Sequence, residues 1–251
     1  MTRTTLVTGA TAGIGEATTR VLLASGMRVI AAGRRVERLD ALADELGPHL
    51  LPLPLDVTDA ASIAALPKSL PVDWREVDVL VNNAGLALGQ ASAQDAVLAD
   101  WESTVETNVA GPMRLVHAIL PGMIARRRGR IINVGSVAAR YPYPGGNAYA
   151  ASKAFLYAFT ANLKADLIGT GVHATTIAPG LVGGTEFSDV RFRGDAARAA
   201  SVYEGLACMT PRDIAEAVLW VATRPNHVGV NYLELMPDCQ APGQLVFHGR
   251  R

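Results

Sequence analysis

Short apolar runs alternate with longer amphipathic segments along most of the chain. The short runs are apolar at nearly every position, as in Val77–Val81, which is typical of strands that are buried on both faces of a sheet. The longer segments repeat their apolar residues with the helical period. Strands separated by such helices require right-handed crossovers, so the pattern predicts an α/β fold. We expect a doubly wound parallel sheet of about seven strands with helices on both faces.

The positions of the predicted elements follow from these segments. We expect strands at Leu6–Thr8, Arg28–Ala32, Leu50–Leu55, Val79–Asn82, Arg130–Val134, His173–Ile177 and Tyr232–Leu235. We expect helices near residues 14–25, 36–46, 59–69, 99–126, 148–168 and 211–223. No linker, repeat or low-complexity segment interrupts this order, so residues 1–251 are predicted to form a single domain.

The segment from residue 180 to residue 211 does not follow the alternation. It comes after the sixth predicted strand, contains Gly180, Gly183 and Gly184, and has a broken helical pattern. Two interpretations stay open, a mobile lid over a ligand or a plain surface excursion.

Glycines recur where the first strand turns into the first helix, in residues 8–15. Glycine permits a tight turn there, and the backbone amides of a helix N-terminus attract anions such as a pyrophosphate. A glycine triplet also occurs in ordinary turns, but in the first strand–turn–helix of a doubly wound sheet it predicts a dinucleotide site and a Rossmann-type fold. The predicted contacts in this loop are Gly9, Thr11, Gly13, Ile14 and Gly15.

The end of the second strand indicates which dinucleotide is bound. An acidic residue there would accept a hydrogen bond from the ribose 2′-hydroxyl of NAD. This chain has Arg34 and Arg35 instead, and a guanidinium suits the 2′-phosphate of NADP. The alternative is that the two arginines simply begin an exposed helix.

Two other strand ends carry polar or small residues at the edge where such sheets bind ligands. These are Asp56-Val57 after the third strand and Asn83-Ala84-Gly85 after the fourth. Asp, Asn and Gly are also common turn formers, so a purely local role stays open for both sites.

Tyr149 and Lys153 are four residues apart, so on a helix they lie on the same face, one turn from each other. A phenol titrates near pH ~10 and is a poor base at neutral pH, whereas a neighbouring cation favours the phenolate. The pair can therefore serve in acid–base chemistry, although most such pairs only form a solvated helix face.

Together these residues resemble the short-chain dehydrogenase/reductase family over essentially the whole chain. The resemblance includes the glycine loop, Asp56-Val57, the turn after the fourth strand, Asn108, Ser136, Tyr149 with Lys153, and Pro179-Gly180. It implies an NADP-linked oxidoreductase without a metal. It also implies cofactor contacts at Tyr149, Lys153, Pro179, Gly180, Val182 and Thr185.

The resemblance also implies a role for each catalytic residue. Tyr149 would exchange the proton with the substrate oxygen, and Ser136 would hydrogen-bond that oxygen. Lys153 would hold the nicotinamide ribose and lower the pKa of Tyr149, and Asn108 would support Lys153 through a water. The catalytic segment is thus residues 136–153, with residues 180–211 as the substrate loop.

Several loops are similar to one subgroup, the bacterial NADP-dependent 3-hydroxy acid dehydrogenases. These loops are residues 82–89, 143–147 and 179–188. The subgroup acts on serine, allo-threonine and related 3-hydroxy acids and reduces malonic semialdehyde. Tyr141 departs from the subgroup, where a Trp often stands. Two alternatives stay open: reduction of another small polar carbonyl, such as a sulfonated aldehyde, and a non-catalytic NADP-binding sensor.

A substrate carboxylate requires a cation or a cluster of backbone amides. By sequence position the candidates are Arg140, Arg191 and Arg193, with Gly145 and Gly146 as possible amide donors. Each arginine could equally be a solvated surface residue.

Composition narrows the partners. Lys plus Arg and Asp plus Glu number 23 each, so no net charge draws the chain to nucleic acid or to an anionic membrane. No apolar run reaches the ~18 residues of a membrane span, and the N-terminus leaves no room for a signal peptide. With only two cysteines, Cys208 and Cys239, we expect a cytoplasmic protein.

The family resemblance implies a homotetramer in which the helices near 99–126 and 148–168 pack between subunits. The former carries an apolar stripe that could equally face its own sheet: Val105, Val109, Met113, Val116 and Ile119. The run Leu233–Pro237 and the tail after it are further candidates for a subunit contact.

Overall fold

Residues 2–243, the part of the chain that the computed structural model describes, form a parallel β-sheet covered by helices. The strands are β1 (Thr4–Thr8), β2 (Arg28–Gly33), β3 (Leu50–Pro54), β4 (Val77–Asn82), β5 (Gly129–Val134), β6 (Val172–Pro179) and β7 (Tyr232–Leu235). The helices are α1 (Gly13–Ala24), α2 (Val36–Leu46), α3 (Ala60–Ser69), α4 (Leu98–Val105), α5 (Gly111–Ala125), α6 (Asn147–Asp166), α7 (Phe187–Arg191), α8 (Ala196–Ser201) and α9 (Pro211–Ala222). All seven predicted strands are confirmed.

Alternate strand residues pack on opposite faces of the sheet, as the pleat requires. Val7 and Val81 are fully buried in an apolar layer shared with residues of α1, α2 and α9. Their neighbours Leu6 and Leu80 are fully buried in a second layer, shared with α3 and α5. Each such burial contributes about 1.5–3 kcal/mol. Apolar residues in unbroken runs therefore produce a sheet with helices on both faces.

The order of the strands fixes where a ligand can bind. The sheet runs β3-β2-β1-β4-β5-β6-β7, and every neighbouring pair is parallel. After β3 the chain returns to place β4 beside β1, so the strand order reverses between β1 and β4 and leaves a crevice beyond their carboxyl ends.

The predicted helix over 99–126 is not continuous. A π-helical turn, Glu106–Ala110, separates α4 from α5. Asn108 lies in this turn, and its side-chain amide hydrogen-bonds both the N–H and the carbonyl of Leu86. Such turns often accompany functional sites.

The predicted apolar stripe of this segment does not lie on one surface. Val116 and Ile119 are buried in the core, whereas Val105 and Met113 are exposed.

The segment 180–211 contains the short helices α7 and α8, which the broken pattern did not specify. Val182 pairs with Met209 across the base of the segment. Among the described helices, none combines the length and the apolar character needed to cross a bilayer.

Candidate active site

A cavity of about 610 Å³ lies at the carboxyl ends of the strands. Its wall combines residues from the glycine loop, the carboxyl ends of β2 to β6, α6 and the 180–211 segment. Among the predicted site residues it includes Gly9, Thr11, Gly13, Ile14, Arg34, Arg35, Asp56, Val57, Asn83, Ala84, Gly85, Ser136, Tyr149, Lys153, Pro179, Gly180, Val182, Thr185 and Arg191. The fold therefore brings together residues that are widely separated in sequence.

The glycine loop needs glycine for geometric reasons. Gly9 and Gly13 have φ angles of 66° and 52°, in the left-handed region that other residues adopt only with strain. Gly15 lies beneath the loop and does not line the cavity. A Cβ at Gly15 would lie 2.1 Å from the Gly9 carbonyl oxygen. Gly15 thus allows the turn to pack, and the loop leaves a cradle at the N-terminus of α1 where a pyrophosphate fits.

Three arginines lie near the end of β2. Arg35 donates through Nε and Nη2 to the Thr11 hydroxyl, at 3.1 and 2.9 Å, and Arg34 is exposed at the cavity. Arg38, one turn further along α2, donates to the Thr11 carbonyl at 3.3 Å. A guanidinium cluster without a carboxylate on β2 fits the 2′-phosphate of NADP.

Glu186, from the 180–211 segment, also reaches this cluster. Its two oxygens accept from Nη1 of Arg35 and Nη1 of Arg38, each at 2.7 Å. Burial favours a higher pKa for the Glu186 carboxyl, but the hydrogen bonds from Arg38 and Arg35 outweigh it and lower the pKa. Sequence reasoning missed both Arg38 and Glu186. The helical spacing from Arg35 could have indicated Arg38, whereas nothing local indicated Glu186.

Tyr149 and Lys153 occupy the first two turns of α6, as the spacing predicted. Lys153 Nζ donates to the Val134 carbonyl at 2.9 Å and lies 5.8 Å from the centre of the Tyr149 ring. Ser136, two residues after β5, lies close enough to the Tyr149 phenol to lower its pKa, and its hydroxyl accepts from the Ala138 amide at 3.1 Å. A phenol, a hydroxyl and an ammonium thus share one end of the cavity.

Asn108 lies behind this group and is fully buried. Its Oδ1 accepts from the Leu86 amide at 2.9 Å, and its Nδ2 donates to the Leu86 carbonyl and to Ser152 Oγ, at 2.8 and 3.0 Å. A Cβ placed on Gly85 would lie 3.2 Å from Asn108 Oδ1 and 3.3 Å from Lys153 Nζ. Asn108 and Lys153 therefore approach each other at the turn after β4, where Gly85 leaves room.

Burial dominates the titration of the two central groups. It raises the pKa of the Tyr149 phenol to about 12, although the Ser136 hydrogen bond acts in the opposite direction. It also lowers the pKa of Lys153 to about 8. Within the protein alone, desolvation raises the Tyr149 pKa by more than Ser136 and Arg191 lower it, so the lowering by Lys153 stays a prediction for the cofactor-bound protein. Tyr149 is therefore a protonated phenol at neutral pH, which suits a proton donor.

The candidate arginines for the substrate occupy different places. Arg191 lines the cavity, donates to the carbonyls of Gly89 and Gly145 at 3.1 and 3.4 Å, and lies over the Tyr143 ring. Arg193 pairs with Asp100 at 2.6 and 2.8 Å and lines a neighbouring cavity that Tyr149 and Arg191 also border, but not the cavity of Ser136 and Lys153.

Arg140 is not brought to the site. Its guanidinium lies 3.6 Å from the Glu234 carboxylate and over the Tyr232 ring. The short helical turn after Ser136, Val137–Ala139, carries Arg140 away from the cavity towards β7.

Phe187 is a cavity residue that the sequence did not indicate. Its ring packs against the Tyr149 ring with centroids 5.4 Å apart. Gln240 also reaches the site, since its Oε1 accepts from the Leu181 amide at 2.8 Å. Residues 244–251, the end of the proposed subunit-contact tail, lie outside the described residues.

The fold and this cavity define the class of protein, a dinucleotide-binding oxidoreductase with a tyrosine at its reacting end. Residues 3–195 match the family described as short chain dehydrogenase, and the chain belongs to that family.

Curated relatives and solved structures cover almost all of the chain. The NADP-dependent 3-hydroxy acid dehydrogenase YdfG of Salmonella typhi is 54% identical over 97% of this chain and 98% of its own. The serine 3-dehydrogenase of Agrobacterium fabrum is 46% identical over 96% of each. A structure of the closed form of serine dehydrogenase complexed with NADP+ matches with a TM-score of 0.95 and 51% identity, covering 98% of this chain and 100% of that one.

Proposed function

We propose that this protein is an NADP-dependent dehydrogenase that oxidises the hydroxyl-bearing carbon of a small 3-hydroxy acid, and reduces the matching carbonyl. The single observation that carries the proposal is one cavity that joins the glycine cradle and arginine cluster to Tyr149, Ser136 and Lys153. Similarity to relatives named for 3-hydroxy acids and serine supports the substrate class.

The residues of the chain divide the work. Tyr149 gives a proton to the substrate oxygen in reduction and takes it in oxidation, and Ser136 holds that oxygen by a hydrogen bond. Lys153 would hold the nicotinamide ribose, and Asn108 would support Lys153 from behind. When NADP is bound it supplies the hydride acceptor, and its positive charge in the oxidised form favours the phenolate that oxidation requires. Burial, by keeping the phenol protonated, favours the donor role in reduction.

The remaining predicted residues would hold the cofactor. Gly9, Thr11, Gly13 and Ile14 would surround the pyrophosphate, while Arg34 and Arg35 would bind the 2′-phosphate. The other contacts would lie along the adenine, ribose and nicotinamide and comprise Asp56, Val57, Asn83, Ala84, Gly85, Pro179, Gly180, Val182 and Thr185.

Arg191 is the residue that best fits a substrate carboxylate, because it is the candidate arginine that lines the cavity shared by Tyr149, Ser136 and Lys153. Replacement by methionine removes a charge-assisted bond worth about 1.5–3 kcal/mol. We expect R191M to raise the KM for 3-hydroxypropionate by about 10- to 100-fold. The measurement is initial rates with 3-hydroxypropionate and with propan-1-ol, which replaces the carboxylate by a methyl group.

R193M is the matched control, since Arg193 lies two residues away, pairs with Asp100, and does not line the cavity that contains Ser136 and Lys153. R193M should leave the kinetic constants for both substrates unchanged. An R191M enzyme with an unaltered KM for 3-hydroxypropionate would remove Arg191 from the substrate site. Equal turnover of propan-1-ol and 3-hydroxypropionate by the unaltered enzyme would instead favour a reductase of other small carbonyls.

We also propose a cytoplasmic homotetramer. The exposed Val105 and Met113 on α4 and α5 provide apolar surface for a subunit contact, and the free thiols of Cys208 and Cys239 suit a reducing compartment. Sedimentation of the purified chain at micromolar concentration should give four times the mass of one chain. A monomer under those conditions would contradict the assembly, and fractionation that places the protein outside the cytoplasm would contradict the location.

A further inference from the structure

An ion-pair cluster connects the cofactor end of the cavity to the 180–211 segment. Glu186 shares its two carboxylate oxygens between Arg35 and Arg38, which lie about 150 positions earlier in the chain. Thr11 of the glycine loop accepts from both arginines, through its hydroxyl and its carbonyl. The carboxylate thus ties this segment to the arginines that the 2′-phosphate of NADP would meet.

Glu186 immediately precedes α7, a helix of five residues that borders the reacting end of the cavity. The first residue of α7, Phe187, packs on the ring of Tyr149. The last residue of α7, Arg191, makes two hydrogen bonds with Gly89. The Arg191 carbonyl oxygen accepts from the Gly89 N–H at 3.0 Å, and Arg191 Nε donates to the Gly89 carbonyl at 3.1 Å. Glu186 and Arg191 therefore fix α7 at its two ends.

We infer that Glu186 is a positioning residue for the reaction: by pairing with Arg35 and Arg38 it holds α7, and with it Phe187 and Arg191, against Tyr149. This inference rests on the proposed function, because it takes Tyr149 as the proton donor and Arg191 as the carboxylate ligand. A short helix has few internal hydrogen bonds, so its position depends on such external contacts.

The ion pairs of Glu186 should affect the local position of α7 more than the overall stability of the protein. The side chains of Glu186, Arg35 and Arg38 are 41%, 40% and 50% exposed, and pairs as exposed as these contribute little to overall stability. Local opening of α7, in contrast, needs only the few contacts that hold this helix to break. Removing the charge of Glu186 should therefore release α7 without unfolding the sheet.

Hydrogen exchange of the backbone amides in E186Q tests this directly. Glutamine keeps the size of the side chain and removes its charge. We expect amides in residues 185–195 to exchange about three- to tenfold faster than in the unaltered protein, while amides of the sheet are unchanged. E186D, which keeps the carboxylate on a shorter side chain, should restore part of the protection.

E204Q is the matched control. Glu204 lies in the same segment, is exposed, and has no ion pair within residues 2–243. The amides of E204Q should exchange like those of the unaltered protein.

In turnover assays we expect E186Q to raise the KM for the hydroxy acid severalfold. NADPH binding, followed by fluorescence, should be no weaker.

Three results would overturn the inference. The first is equal exchange in residues 185–195 of E186Q and of the unaltered protein, which would show that α7 does not depend on the ion pairs. A second is faster exchange throughout the sheet, which is loss of general stability. A third is a tenfold weaker NADPH affinity with α7 unchanged, which makes Glu186 a residue that orients the arginines. The exchange data need no substrate, so they remain decisive even if the proposed hydroxy acid activity fails.

Discussion

Replacing Tyr149 with phenylalanine is expected to lower kcat for a 3-hydroxy acid by about 10²–10⁴-fold, the usual contribution of a positioned acid–base group. The change removes one oxygen and leaves the ring that packs on Phe187. NADPH binding should therefore stay within about twofold, because the glycine cradle and the arginines are untouched. Initial rates at the NADPH absorbance band and NADPH fluorescence titration give the two quantities.

Y157F is the control for this substitution. Tyr157 lies on the same helix, two turns further along, and its exposed ring packs on Tyr232 outside the cavity. It should retain full turnover. A Y149F enzyme that turns over at the rate of Y157F would mean that the proton moves through another group. Loss of NADPH binding in Y149F would mean that the tyrosine supports the cofactor site and would leave its catalytic role unproven.

The second large effect concerns the cofactor. Changing Arg34 and Arg35 together to leucine is expected to lower the ratio of kcat/KM for NADP to that for NAD by about 10²-fold or more. The reason is that each charge-assisted bond to a phosphate contributes about 1.5–3 kcal/mol, and NAD has no 2′-phosphate to lose. The measurement is initial rates with both cofactors at one saturating hydroxy acid concentration.

The NAD rate is the internal control, because it reports damage that is unrelated to the phosphate. R212L provides an external control, since Arg212 is an exposed arginine that pairs with Glu216 on α9. An unchanged ratio in the double variant would show that Arg34 and Arg35 are only the exposed start of α2. A fall in both rates by the same factor would point to loss of the contacts that Arg35 makes with Thr11 and with Glu186.

The architecture could be predicted because it depends on patterns that are local and repeated. Unbroken apolar strands, such as the one containing Val79 and Leu80, indicate burial on both faces whatever the partner helices are. The same holds for Tyr149 and Lys153, whose proximity needs only a helix. Because the strands are parallel, the glycine loop, Asn83 and Ser136 lie at the same edge of the sheet whatever the strand order.

Details that depend on tertiary contacts could not be predicted. The π-helical turn exists where Asn108 bonds to the Leu86 backbone, a contact between segments that no local period encodes. The pairing of Glu186 with Arg38 likewise joins residues from opposite parts of the chain. Arg140 follows Ser136 closely in sequence, yet one short turn directs it to Glu234 and away from the cavity.

The balance of electrostatic effects at Tyr149 also needed the structure. Helical spacing correctly places an ammonium near the phenol, but it does not report the depth of burial. Since Lys153 is buried and Tyr149 is partly buried, desolvation moves the two pKa values in the directions that disfavour charge. Proximity alone therefore does not determine how this pair titrates.

The most direct test of the proposed activity is the change in NADPH absorbance when the purified protein meets serine, allo-threonine, 3-hydroxypropionate or 3-hydroxyisobutyrate, each with NADP and with NAD. We predict turnover that requires both NADP and the substrate carboxylate. Turnover with sulfonated or uncharged carbonyls alone would keep the role of Tyr149 and contradict the substrate. No turnover at all, together with tight NADPH binding, would contradict the proposed dehydrogenase activity and favour an NADP-binding sensor.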